Sequence, residues 1–283
     1  MAAVDIAGPL ILFVMMALVG AELTPEDFRR IARYPRAVWA GTLAQFTLLP
    51  LGAVLLLTVV RPDPSVAAGL VLLTATPGGG ISNVITYLGG ANVALSVTLT
   101  AVSSLLAVVT LPVLTSLGFA HFVGEAGAVR VPVVAMIGQL AGLILLPIAL
   151  GMRLRASRPE LPERLGPWLR RAVLLAIVLL FAAGMGGDDT GLAGEVVANA
   201  WLGLAWTLMA MALGVATALA LRLDGPERFT FLVEFSVKNV GLAAIVALSG
   251  FDRPAFAIFP GAYAMTGYPL AIAAALLFKR LRR

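Results

Sequence analysis

The chain alternates long apolar stretches with short polar ones. Nine apolar stretches occur, at residues 6–21, 37–60, 66–88, 93–119, 131–152, 172–185, 196–221, 229–249 and 254–278. An α-helix needs roughly 20 such residues to cross a bilayer, and the first and sixth stretches are short unless the sixth extends back to Trp168. The pattern predicts an all-α polytopic membrane protein with nine transmembrane helices.

Two of these stretches contain features that interrupt a helix. Between residues 66 and 88, Pro77 precedes three glycines and the pair Ser82 and Asn83. Proline lacks the amide hydrogen of a helix, and glycine favours other conformations. The stretch 229–249 has a polar run across its middle, formed by Glu234, Ser236, Lys238 and Asn239. Irregular backbone at membrane depth occurs only where protein buries it or where it lines a cavity, so we expect two discontinuous helices at a polar site.

Glu234 and Lys238 are the two ionisable residues within this polar run. Such groups are costly at mid-bilayer and usually mark a functional site. On an uninterrupted helix their spacing places them on one face, where they neutralise each other. A purely structural reading is that the pair holds a discontinuous helix together and has no part in transport.

The basic residues indicate the orientation. With the N-terminus outside, sixteen of the twenty Lys and Arg residues fall in inside loops and three in outside loops, while Lys238 lies within a span. This asymmetry follows the positive-inside rule and predicts an integral protein of the cytoplasmic membrane with the C-terminus inside. The Arg-rich segment 153–171 is predicted to be an inside loop that can contact anionic lipid, and the acidic segment 186–195 an outside loop.

An internal repeat is suggested by the positions of the two breaks. The first four and the last four spans each have their interrupted member third, and the fifth span between them reverses the sense of the second set. Paired breaks in inverted halves are typical of secondary transporters, whose binding sites lie near the midplane.

Composition excludes several other classes. Hydrophobic residues make up 60% and charged residues 12% of the chain, whereas about a quarter of a soluble domain is charged. The net charge of +5 comes from Arg clusters between spans and not from a basic face, so we expect no nucleic-acid partner. Without cysteine there is no thiolate metal site or cysteine nucleophile, and without a Ser-His-Asp set we expect no enzyme and no cofactor.

At the two breaks the chain resembles the bile acid:sodium symporter family. The likeness is carried by the run from Pro77 to Leu88, by residues 92–104, by Glu234 to Ala243, and by Gln45-Phe46 with Pro50. It covers nearly the whole chain and fits the nine-helix form of the family. The resemblance implies a core domain (residues 37–119 and 196–278) and a panel domain (residues 6–21 and 131–185). The broken helices would cross in the core, and substrate would bind between the domains, which move to give alternating access.

The resemblance also implies two sodium sites. The first would be formed by oxygen-bearing side chains, as a hard cation requires: Ser82, Asn83, Ser96, Thr100 and Glu234. The second would use Gln45 and Glu234, but Lys238 stands where the family has a glutamine. An ammonium group has donors only, so it cannot ligate sodium. We expect Lys238 to replace the second sodium as a tethered cation; the alternatives are proton coupling through the Glu234–Lys238 pair or transport without an ion.

The expected substrate is a small organic anion, either bile-acid-like or a carboxylate metabolite such as a keto acid or pantoate. The substrate-binding residues that the resemblance and the breaks suggest are Asn83, Asn239, Tyr263, Thr266 and Tyr268. Pro269 departs from the family, which often has Asn there. A membrane sensor that binds a ligand without moving it is a second possible function.

Overall fold

A computed structural model describes residues 2–27, 29, 35–123, 131–185 and 191–282. This part of the chain is helical and has no β-strand. The helices are α1 Ala2–Glu22, α2 Pro35–Val60, α3 Pro64–Ala75, α4 Gly80–Leu88, α5 Val93–Phe122, α6 Val133–Ser157, α7 Glu160–Met185, α8 Leu192–Ala198, α9 Ala200–Ala220, α10 Gly225–Ser236, α11 Val240–Gly250 and α12 Pro254–Leu281. π-helical turns lie within α6 (Ala141–Leu145) and at the end of α11 (Val246–Gly250).

Local sequence signals explain where several helices begin. Asp63 accepts a hydrogen bond from the Ser65 amide, and a proline occupies the first turn of α3. Asp224 and Glu227 form a capping box at the start of α10, which satisfies amide groups that would otherwise have no partner.

Five of the described helices, α2, α5, α6, α9 and α12, are long and apolar enough to cross a membrane, and three shorter apolar helices accompany them. Large apolar side chains point outward, as on α2, where Leu51 is 63% and Val59 is 72% exposed. An apolar outer surface of this kind suits lipid and not water. The count of nine crossings, the orientation and the inverted repeat remain predictions.

The two expected breaks are present, and they meet. Helix α3 ends at Ala75 and α4 begins at Gly80, while α10 ends at Ser236 and α11 begins at Val240. The extended segments between these helices pair as a short antiparallel bridge of Gly78 with Lys238, and the Asn239 amide donates to the Pro77 carbonyl at 3.1 Å. Since α10 ends before Lys238, Glu234 and Lys238 do not share a helix face, and the expectation based on their spacing is corrected.

Helix α1 packs mainly on α6 and α7, and α9 packs on α10 and α12. The α1–α6 contact is backbone against backbone, since a Cβ at Gly151 would collide with the Ala17 carbonyl and one at Gly20 with the Ile148 carbonyl. Helix α1 also touches α11 near its N-terminal end, at Gly8, and in its middle, at Met15. The division into core and panel domains stays a prediction, but these contacts put α1, α6 and α7 together in one group.

Two sequence expectations about connections need correction. Helix α6 continues to Ser157 and α7 starts at Glu160, so most of the segment 153–171 is helical instead of a loop. The span predicted at residues 196–221 is interrupted at Asn199, between α8 and α9. Residues 186–190 of the predicted acidic loop lie outside the described residues.

Candidate functional site

The carboxylate of Glu234 lies at the centre of a fully buried polar cluster beside the crossing. Its Oε1 accepts a hydrogen bond from Ser96 Oγ, and the Thr100 hydroxyl lies 3.2 Å from Oε1 and 3.0 Å from Oε2. Ser82 Oγ stands 3.2 Å from Thr100 Oγ1, and Asn83 Oδ1 accepts from Ser96 Oγ at 2.9 Å. The five residues predicted for the first sodium site are therefore brought together by α4, α5 and α10.

The cluster contains more acceptor oxygens than protons. The single proton of Ser96 faces both Glu234 and Asn83, and the single proton of Thr100 faces both carboxylate oxygens. Ser82 donates its own proton to the Gly79 carbonyl at 2.7 Å. A buried carboxylate needs a compensating charge, and an all-oxygen ligand set of this kind suits a hard cation.

Gly78 brings the crossing close to this carboxylate. A Cβ at position 78 would lie 2.7 Å from Glu234 Oε2 and 3.2 Å from Thr100 Oγ1. Any larger residue would displace the carboxylate or the hydroxyl, so the close approach of backbone to Glu234 requires glycine.

A second buried region lies where the other sodium site was expected. Lys238 is 0% exposed, and its Nζ has no hydrogen-bond partner in the described part of the chain. Gln45 is also fully buried, and neither its amide oxygen nor its amide nitrogen has a partner there. The Lys238 ammonium lies 5.9 Å from the centre of the Phe46 ring, one residue from Gln45 on α2. Polar atoms without hydrogen-bond partners are costly inside a protein. The amide of Gln45 and the ammonium group of Lys238 therefore mark a buried polar region whose hydrogen-bonding groups are not satisfied among the described residues.

Two tyrosines hold the backbone around Lys238. The Tyr263 hydroxyl donates to the Ser236 carbonyl at 2.6 Å and accepts from the Lys238 amide at 3.0 Å. The Tyr268 hydroxyl donates to the Lys238 carbonyl at 3.0 Å. These bonds satisfy backbone groups that the helix break leaves without helical partners.

Three predicted substrate residues therefore have other contacts. Tyr263 is 0% exposed, and its role in lining a substrate crevice stays a prediction. Thr266 donates to the Ala262 carbonyl of its own helix and lies next to Gly203 of α9. Tyr268 is only partly buried, so it keeps a surface that a ligand can reach.

The two asparagines of the breaks differ in their use. Asn239 accepts the Leu242 amide at 3.0 Å and so caps α11. Asn83 uses its oxygen within the cluster and donates from Nδ2 to Glu22 Oε2, at the end of α1, at 3.2 Å. The substrate roles proposed for both residues stay predictions.

A family model of the sodium bile acid symporter family matches residues 9–190, which is more than half of the chain. The chain belongs to the sodium bile acid symporter family. The match includes Gln45 and the first break, and the resemblance noted from the motifs is thereby confirmed. Members of this family are transporters, which is consistent with the expectation that the chain is not an enzyme.

Individual relatives of this symporter-family chain extend the match over the second break. It is 28% identical over 251 residues to the probable sodium/metabolite cotransporter BASS1, chloroplastic, of Arabidopsis thaliana, which covers 87% of this chain and 60% of that protein. It is 30% identical over 272 residues to the probable BASS2 cotransporter, chloroplastic, of Oryza sativa subsp. japonica, with 95% and 62% covered. The uncharacterized sodium-dependent transporter YocS of Bacillus subtilis (strain 168) is 27% identical over 239 residues, with 84% and 73% covered. The chain thus spans about three fifths of the two plant relatives.

Sequence reasoning missed Glu22, which contacts Asn83 of this polar cluster. Glu22 ends the first apolar stretch and is followed by Glu26 and Asp27, so it resembles an ordinary acidic residue at a membrane boundary. Its contact with Asn83 joins positions 61 residues apart. A partial signal was available, since Glu22 directly adjoins the end of an apolar span.

Proposed function

We propose that this protein is a secondary active transporter of a small organic anion, driven by one sodium ion and working by alternating access. Sodium binds among Ser82, Asn83, Ser96, Thr100 and Glu234. Lys238 supplies, as a tethered ammonium group, the positive charge of a second sodium. The substrate is a monocarboxylate of bile-acid-like or metabolite type, and it binds beside the crossing of the broken helices.

The observation that carries this proposal is the contrast between the two buried regions. Glu234 has hydroxyl donors but no hydrogen-bonded cation among the described residues, and Lys238 has a buried ammonium group with no hydrogen-bond partner. A single sodium at Glu234 would fill the first region. The second region already holds a positive charge, so a second sodium there would be repelled.

Charge balance supports the same stoichiometry. Glu234 and Lys238 cancel each other in formal charge, and both are fully buried. One sodium ion and one monoanion then add no net charge to the membrane interior, where uncompensated charge is costly. With two sodium ions and Lys238 retained, the loaded carrier would have an excess positive charge.

Sodium counting in proteoliposomes tests the proposal. The purified protein is reconstituted into proteoliposomes, and labelled pantoate or pyruvate is added outside. The uptake of labelled sodium and the uptake of the labelled acid are measured together. We expect one sodium per anion for the wild type and two for Lys238→Gln, which restores the glutamine of the family. Lys279→Gln serves as the matched control, because it removes the other lysine of the chain at an exposed helix end.

Other outcomes identify the competing functions. Two sodium ions per turnover in the wild type would refute the tethered cation. Uptake driven by a proton gradient, and lost in Lys238→Gln, would instead support a proton carrier that uses the Glu234–Lys238 pair. Binding of the acid without counterflow across the membrane would support a ligand sensor.

A further inference from the structure

The hydrogen bond between Glu22 and Asn83 connects two groups of helices. Glu22 belongs to α1, which packs with α6 and α7, whereas Asn83 belongs to α4, which packs with α5 and α12. Asn83 Nδ2 donates to Glu22 Oε2 at 3.2 Å. The bond is therefore a contact between groups that the proposed function moves relative to each other.

Each partner of this bond is held firmly by its own group. The oxygen of Asn83 accepts from Ser96 Oγ at 2.9 Å, which leaves the amide nitrogen directed away from the sodium cluster. On the other side, Arg155 of α6 donates to the Ala21 carbonyl at 3.1 Å, next to Glu22. With the close contact of α1 and α6 at Gly151, these bonds fix the end of α1 to its group. Relative motion of the groups must lengthen or break the bond from Glu22 to Asn83.

The chemistry of the bond is that of organic-anion recognition. An amide N–H facing a carboxylate oxygen is the contact by which an asparagine binds the carboxylate of a ligand. Asn83 is one of the residues that the sequence predicts to bind substrate, and in this structure a carboxylate of the protein itself accepts a hydrogen bond from its amide nitrogen. A second carboxylate brought to the same nitrogen would be repelled by Glu22, since like charges at a few ångströms disfavour each other.

We propose that Glu22 is a specificity-determining residue that acts as a stand-in for the substrate carboxylate. In the empty carrier the Glu22 carboxylate accepts the hydrogen bond from the Asn83 amide nitrogen. The carboxylate of an organic monoanion replaces Glu22 as the acceptor, and α1 is thereby released from α4. Glu22 is only partly buried, so the released carboxylate can be hydrated at small cost. This inference rests on the proposed function, because it requires the anion to bind at Asn83.

Competition of this kind predicts that removing Glu22 strengthens binding. A hydrogen bond to a charged group contributes enough to change an equilibrium constant by roughly tenfold or more. Glu22→Ala should therefore bind a monocarboxylate about tenfold more tightly than the wild type. Glu22→Gln should show a smaller gain, since its neutral oxygen still accepts from Asn83 but more weakly.

The experiment is calorimetric titration of pantoate and of pyruvate into the purified full chain in saturating sodium. Glu26→Ala is the matched control: Glu26 lies four residues further along the same connection, and its carboxylate pairs with Arg29 at 3.4 Å instead of with Asn83. The control should bind like the wild type. Tighter binding in Glu22→Ala than in Glu22→Gln, and in both than in the wild type, supports the proposal.

A second readout requires no ligand. Hydrogen exchange of residues 80–88 should be faster in Glu22→Ala than in the wild type or Glu26→Ala, because α4 loses its bond to α1. Unchanged exchange overturns the inference that the bond from Glu22 to Asn83 holds α1 to α4. Weaker or unchanged acid binding in Glu22→Ala overturns the competition while leaving the proposed function standing. No binding of either acid by wild type and Glu22→Ala alike overturns both, since the anion itself would then be the wrong class.

Discussion

Replacing Lys238 with glutamine should change the electrical character of transport. Under the proposed function, one sodium and one monoanion cross together in the wild type, and the fixed charges of Glu234 and Lys238 cancel. In Lys238→Gln the second site can hold sodium, so each cycle moves two sodium ions and one anion. The variant then carries one net positive charge across the membrane in each turnover.

The size of the effect follows from this charge count. Both ionisable side chains are 0% exposed, so their charges belong to the carrier interior and not to the solvent. Moving one elementary charge through 100 mV is worth about 2.3 kcal/mol. Because each 1.4 kcal/mol is tenfold in an equilibrium constant, accumulation at −100 mV should rise roughly 50-fold in the variant and stay unchanged in the wild type.

The assay is uptake of labelled pantoate into proteoliposomes with equal sodium gradients, in which a potassium diffusion potential sets the membrane voltage. Lys279→Gln should behave like the wild type. Voltage-dependent accumulation by the wild type, or voltage independence of Lys238→Gln with its uptake intact, would refute the charge count. Loss of uptake in Lys238→Gln is checked by thermal unfolding, since a misfolded variant also loses its melting transition.

Two further substitutions test the site and the movement. Ser96→Ala removes the hydroxyl that contacts both Glu234 and the Asn83 side-chain oxygen. Sodium should therefore stabilise this variant at least tenfold less effectively in thermal-shift titrations. The control Ser103→Ala, whose hydroxyl lies outside the cluster, should match the wild type. A Cβ at Gly8 lies 3.5 Å from Ser249 Cβ, within the disulfide range, so oxidised Gly8→Cys/Ser249→Cys should lose uptake and regain it on reduction. Full uptake by the oxidised pair would contradict motion between α1 and α11.

The breaks were predictable because they depend on local chemistry. Pro77 and the glycines after it disfavour a continuous helix, and the polar run around Glu234 is too costly to face lipid. The residues of the polar cluster around Glu234 were predictable only through the family motif. Ser96 and Thr100 are separated from Glu234 by more than 130 residues, and no periodicity in the chain pairs them.

The rest depended on tertiary contacts that spacing does not reveal. The break leaves backbone groups at Ser236 and Lys238, and no sequence pattern shows that the Tyr263 hydroxyl is their partner. Glu22 resembles a boundary acid, and its role depends on how the end of α1 lies against α4. The helical start of α7 at Glu160 was missed because its acidic and basic residues resemble a solvated loop.

The crossing itself is joined by main-chain atoms, through the Gly78–Lys238 bridge and the bond from the Asn239 amide to the Pro77 carbonyl. Main-chain bonds do not depend on which side chain position 238 carries. Under the proposed function, exchange of lysine and glutamine at that position would therefore change the response of transport to membrane voltage while the main-chain bonds of the crossing are kept. In such a carrier a single residue would separate electroneutral from electrogenic transport.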